Sequence, residues 1–234
     1  MQRIFLWLLA LVMSALGMAH ILTPKAELGP VFTPRGTEPV TSGQTGALPY
    51  SVSGSDLQIQ ALVQYEGAYW EDGTGDYVSN VAALMLHNPS DVGITRGKVY
   101  LTLQEQEYLF EFTYLPAGGR LLVPEKNRLP YVRGKVTDCR CEELATGDFG
   151  TEDSGVAFTQ NGLSGIVLEN TTGGDFKKVT LSYKLYLQEQ DALIGGKTYK
   201  ITVESLSAGE NREIVPPKFV WGYSAVVDIQ TEEE

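Results

Sequence analysis

The chain has 234 residues, with 18 Lys and Arg against 29 Asp and Glu, and a formal net charge of −11. That length can bury one large core or two small ones. The acidic balance argues against a nucleic-acid partner, because neutralising a phosphate backbone needs a run of Lys and Arg that the sequence does not contain.

The amino end, "MQRIFLWLLALVMSALGMAHIL", carries one charge, at Arg3, before an apolar run from Ile4 to Met18 broken by Ser14 and Gly17. Such a run suits the apolar region of an export signal better than a full membrane span, which needs about 20 residues. Residues 1–22 are therefore predicted to be a signal peptide or an uncleaved signal anchor. Either outcome places the rest of the chain outside the cytoplasm, secreted or held at the membrane. Residues 23–55 follow as a spacer, with Pro24, Pro30, Pro34, Pro39 and Pro49 among Thr, Ser and Gly. Their low apolar content predicts a flexible or extended segment.

Beyond the spacer the chain repeats itself. "VAALMLHN" and "LSGIVLEN" both end an apolar run on Asn, at Asn88 and Asn170, and "KVYLTLQ" corresponds to "KVTLSYKLY". "FEFTYLPAG" corresponds to "ITVESLSAG", and "VRG" at Val132 to "VWG" at Val220. The offset jumps where the second copy carries a longer hairpin, "LYLQEQDALIGGKTY". Length changes of that kind gather at hairpin tips. Period-two alternation supports strands: Val179, Leu181, Tyr183, Leu185 and Leu187 alternate with Thr180, Ser182, Lys184, Tyr186 and Gln188. The second set is expected to face water.

Gly118 and Gly209, in the two Leu-x-Ala-Gly motifs, are read as tight-turn positions between strands. The fold class expected is all-β, with two tandem antiparallel sandwiches over residues 56–141 and 155–234, joined by an acidic linker, 142–154.

The pieces ending on Asn, "KVTLSYKLY" and "YKITVESLSAGENREI" resemble the FxLYD-type immunoglobulin-like domains of Gram-positive surface and secreted proteins. Residues 155 to 231 carry the resemblance better than the first copy, and Leu187 stands where the pattern places Asp after "LY". The resemblance implies an extracytoplasmic, non-enzymatic module with no known ligand.

Candidates for chemistry are few. Cys139 and Cys141 share a face if their stretch is a strand. With His20 and His87 the only histidines, the inventory fills no familiar zinc set. Two ordinary thiols are expected, a strained local disulfide being the alternative. Carboxylates crowd two Gly-rich loops, Glu71, Asp72 and Asp76 in one, and Asp148, Glu152 and Asp153 in the other. Oxygen donors at that density make the second cluster a candidate calcium site, solvated turns being the rival reading.

Tyr69 and Trp70, beside Tyr65 and Tyr77, are candidates for stacking on a sugar ring. No hydrolase triad, phosphate loop or zinc-protease motif is present, so no catalytic residue, enzyme activity or cofactor is expected. The function expected is an exported envelope module, structural or protein-binding. The partner would be an envelope protein, and the alternative is a carbohydrate-binding module for cell-wall polymer.

Overall fold

The computed structural model describes residues 48–53 and 55–233. The export segment and most of the spacer lie outside the described residues. The last part of the spacer belongs to the fold: β1 (Tyr50–Ser51) pairs with the next strand, and Leu48 and Val52 enter the core at 7% and 8% exposure. These two apolar side chains have a sheet face to cover, so structure begins before the predicted boundary.

Among the described residues thirteen strands follow one another, with a short 3-10 turn at Gln188–Gln190 as the other regular element. After β1 come β2 (Gln58–Tyr69), β3 (Asp76–His87), β4 (Ile94–Leu103), β5 (Gln106–Leu115), β6 (Arg120–Pro124) and β7 (Val136–Thr146). The second half supplies β8 (Val156–Asn161), β9 (Gly165–Asn170), β10 (Phe176–Leu187), β11 (Ala192–Leu206), β12 (Asn211–Ile214) and β13 (Ser224–Glu233).

Two three-stranded sheets have the orders β5-β4-β7 and β12-β9-β8, and a seven-stranded sheet runs β1-β2-β3-β6-β11-β10-β13. Both halves are wound alike. β2-β3-β6 faces β5-β4-β7 in the first, and β8-β9-β12 faces β11-β10-β13 in the second, with strands taken in the same chain order.

The two halves also share a pattern of single hydrogen bonds. Asn88 and Asn170, each at a strand end, are 0% and 1% exposed. Asn88 Nδ2 donates to the carbonyls of Val92 and Pro116 at 2.8 and 3.1 Å, and Asn170 Nδ2 to those of Gly174 and Leu206 at 2.8 and 3.0 Å. Each Asn Oδ1 accepts from a hydroxyl two residues on, Ser90 at 2.8 Å and Thr172 at 2.7 Å. A buried amide satisfied in this way pins the loop after the Asn strand to the Leu-x-Ala-Gly turn. Gly118 and Gly209 occupy matching turns with φ of 64° and 70°. An added Cβ would meet nothing within 4 Å at either glycine, so backbone conformation is what favours Gly there.

The two halves share one sheet, and the longer hairpin of the second copy makes the join. At its far end β11 pairs in parallel with β6, Leu193 opposite Leu121 and Ile194 opposite Leu122. Successive residues of a strand face opposite ways. Leu193 enters the first core with Phe110 and Val123, whereas Ile194 packs with Tyr65, Tyr69, Leu122 and Leu187 on the other face. The second core, around Val179, Leu181, Tyr183 and Phe219, lies on the side opposite the first. The sheets β5-β4-β7 and β12-β9-β8 therefore cover opposite faces of the central sheet, one over each half.

The acidic stretch is no free linker. Residues 142–146 continue β7, paired with β4 through Glu142 opposite Lys98 and Thr146 opposite Ile94. Further on, Gly150 donates its N–H to Asp228 Oδ1 at 3.1 Å and accepts from the Ile229 N–H at 2.9 Å. Phe149 meets Tyr114 edge-on with centroids 5.0 Å apart. Its carboxylates lie at the surface, Glu142 paired with Arg140 and Glu143 with Lys98, while its backbone, Leu144 and Phe149 pack on the fold, which composition alone conceals.

Candidate functional site

The hairpin that joins the halves is irregular where it matters most. Pairing of β10 with β11 runs regularly to Tyr183 opposite Tyr199, then resumes at Leu185 opposite Ile194, so residues 195–198 bulge out opposite Lys184. Gly195 has φ of 90°, and a Cβ on Gly196 would lie 1.8 Å from the Glu111 carbonyl oxygen. Glycine at both places lets the bulge curl against the first half.

Lys184 fills that bulge. Its side chain is fully buried, and its Nζ donates to the carbonyls of Gly195, Gly196 and Lys197 at 2.8, 3.1 and 2.9 Å. Three acceptors match the three N–H bonds of an ammonium group. On the same bulge the Gly196 N–H donates to Glu71 Oε1 at 2.8 Å, and Glu71, from the loop between β2 and β3, is 4% exposed. The bulge is thus held by a cation of the second half and a carboxylate of the first. Burial lowers the Lys184 pKa to about 7, opposed by the charge of Glu71, and burial raises that of Glu71.

Lys184 was expected on the wet face of β10. The first half covers that face, and Ser182 beside it is 0% exposed as well.

Above this joint lies a groove of about 450 Å³ shared by the halves. Arg96 and Lys98 of β4 and Lys126 after β6 line it from the first half, and Lys197 and Lys200 of β11 from the second. Lys98 lies 2.7 Å from Glu143 and 3.8 Å from Glu111, and Lys126 lies 2.9 Å from Glu111. Lys200 Nζ stands 5.4 Å from the centre of the Tyr114 ring. Among the described residues, Arg96, Lys197 and Lys200 have no carboxylate partner.

The residues singled out from sequence are mostly structural. Tyr69 is 0% exposed, its hydroxyl shared between the carbonyls of Glu125 and Lys126 at 2.7 Å each, so it has no face to offer a sugar. Trp70 is half-buried, with Lys218 Nζ 3.7 Å from its ring centre and Gly75 packed so closely that a Cβ there would lie 1.9 Å from the ring. Tyr69 is therefore spent inside the protein, and Trp70 keeps only a partly exposed ring that Lys218 approaches.

Glu71, Asp72 and Asp76 separate, Glu71 to the bulge and the two aspartates to Arg128, with the Asp76 contact at 3.2 Å. Asp148, Glu152 and Asp153 are exposed, and no group of three potential ligands among the described residues could hold a metal ion. The carboxylates of the calcium reading are not gathered on one point in this structure.

Cys139 and Cys141 are free thiols packed against the first core, opposite Leu101 and Val99. Burial pushes them up to about 12 and about 11, which leaves them poor nucleophiles. His87 stands 3.4 Å from Gln58 Oε1. Glu125, not singled out by its sequence context, is 0% exposed and accepts backbone N–H bonds from Asn127 and Leu129 at 2.7 Å each.

Fold and site together define a class: an all-β, sandwich-like protein of two like-wound halves welded through one sheet. No family model matches the chain, and neither a curated protein nor a solved structure shows significant similarity to it.

Proposed function

We propose that the protein is an exported, non-enzymatic envelope module of two immunoglobulin-like sandwiches of the FxLYD type, serving as a rigid structural or protein-binding element. The observation that carries this reading is the weld. A seven-stranded sheet that runs through both halves, with the buried bulge at their joint, makes an inflexible body suited to holding a binding surface at a set distance. The like winding of the halves and the apolar run Ile4 to Met18 support the same reading. Leu187, the departure from the FxLYD pattern, is 9% exposed in the apolar joint, where an Asp would lack a partner. The burial of Tyr69 leaves the carbohydrate alternative only Trp70, half-buried with Lys218 over its ring.

The test is a full-length chain tagged after Glu234, expressed in the native host. External protease on intact cells should remove the tag, and cross-linking should enrich envelope proteins with it. A tag protected until the cells are lysed overturns the export reading. An accessible tag with no envelope protein enriched overturns protein binding and leaves the rigid structural role.

A further inference from the structure

The protein carries a formal charge of −11, yet five of its 18 Lys and Arg converge on one groove. We propose that the groove between the halves, lined by Arg96, Lys98, Lys126, Lys197 and Lys200, is a binding site for a ligand bearing at least two phosphate groups.

The charge balance favours an anion. Glu111 and Glu143 are engaged by Lys98 and Lys126, and Glu71 at the floor is held by the bulge that surrounds Lys184. Arg96, Lys197 and Lys200 are the cations without a salt bridge, contributed by both halves, Lys197 within electrostatic reach of Glu71 and Lys200 donating to the Tyr114 hydroxyl at 3.4 Å. Gathering unneutralised like charges in a cleft costs free energy in the absence of a counterion and focuses the field on any anion that enters.

The donors favour phosphate over carboxylate. Four of the five cations are lysines, compact point charges suited to a tetrahedral anion, whereas planar recognition of a carboxylate favours paired Arg bonds. Thr113 and Thr198, whose hydroxyls lie 2.8 Å apart in the same lining, add polar groups on the floor. A volume of about 450 Å³ falls in the range of small-molecule sites and exceeds what one phosphate fills. A ligand with at least two phosphates matches that volume together with cations supplied from two strands, β4 and β11.

The proposal does not rest on the export reading, because the site is built from the described residues wherever the chain resides. The test is calorimetric titration of the full chain with tripolyphosphate and with long-chain polyphosphate at low ionic strength. Binding is expected, weakening as salt is raised. Lys197→Glu with Lys200→Glu should weaken it at least about tenfold, since like charge then faces the ligand. A control of equal charge change at exposed sites away from the groove, Lys135→Glu with Lys177→Glu, should change it less than about twofold. Thermal melting of both variants verifies folding.

Binding of tripolyphosphate as tightly as the polymer, per site, identifies a small phosphorylated molecule as the source. Binding confined to the polymer identifies a phosphodiester or polyphosphate chain. Failure of both probes to bind, or an equal loss in the control variant, overturns the site.

Discussion

Lys184 is the residue with the most to lose. It is fully buried, surrounded by three carbonyls, and on the far side of the same bulge sits Glu71. Lys184→Met would orphan three carbonyl acceptors, that of Gly196 buried, and leave a buried carboxylate without its opposite charge, at a cost of roughly 3–5 kcal/mol. The pH dependence carries a defined sign. The folded pKa of about 7 lies below the ordinary value of 10.5, so between those values the unfolded chain binds more protons and stability rises with pH.

The slope is at most about 1.4 kcal/mol per pH unit for one group. Glu71, raised by burial, acts with the opposite sign as pH climbs from 4.5, so the effect of Lys184 is read as a difference between wild type and variant. Denaturant melts between about pH 7 and pH 9.5 should show stability rising more steeply in the wild type than in Lys184→Met. Parallel lines for the two proteins would show that Lys184 does not titrate on unfolding.

At the scale of elements, the extension of the β10–β11 hairpin is the device that makes one body of the two halves. It supplies Leu193 to one core and Ile194 and Leu187 to the apolar joint on the opposite face. The matching edge in the second half, β12, carries Arg212 and Glu213 where β6 presents leucines at 121 and 122. Charged edges resist the addition of a further strand. Replacing residues 184–198 by Asn-Gly would leave Tyr183 and Tyr199 to close a two-residue hairpin. The wild type should unfold calorimetrically in one transition and the shortened variant in two, with Tyr65 and Leu122 newly exposed. One unchanged transition in the variant would show that the halves are coupled elsewhere.

For the whole molecule, the continuous sheet predicts a single rigid body over the described residues. Contacts between domains of one chain are commonly small and polar and permit relative motion. Here an apolar joint and backbone pairing across β6 and β11 replace such a contact. Small-angle scattering from residues 48–234 should give one narrow distance distribution, the same with a chelator and with added Ca²⁺. A broad distribution that narrows on adding the ion would restore the carboxylates of Asp148, Glu152 and Asp153 as a metal site and the stretch 142–154 as a hinge.

What was legible in the sequence was local and periodic. Alternation from Val179 to Leu187 predicts a strand because side chains face opposite ways at successive residues, and the matched Asn and Leu-x-Ala-Gly pieces predict equivalent loops because the same short-range bonds close both. The offset jump likewise marked the longer hairpin. Its role was invisible, since pairing of Leu193 with Leu121 joins residues far apart in the chain, and nothing near either one announces the other. The same reason hid the burial of Lys184, which alternation places in water until the first half covers that face. Tyr69 and Trp70 read as loop aromatics because exposure is decided by what folds over a loop, here Glu125, Lys126 and Lys218. The sequence has no run of basic residues, and the five cations of the groove come from β4, β11 and the turn after β6, far apart in the chain. Periodicity can place a side chain on a face of its own strand, whereas only the tertiary structure decides what that face meets.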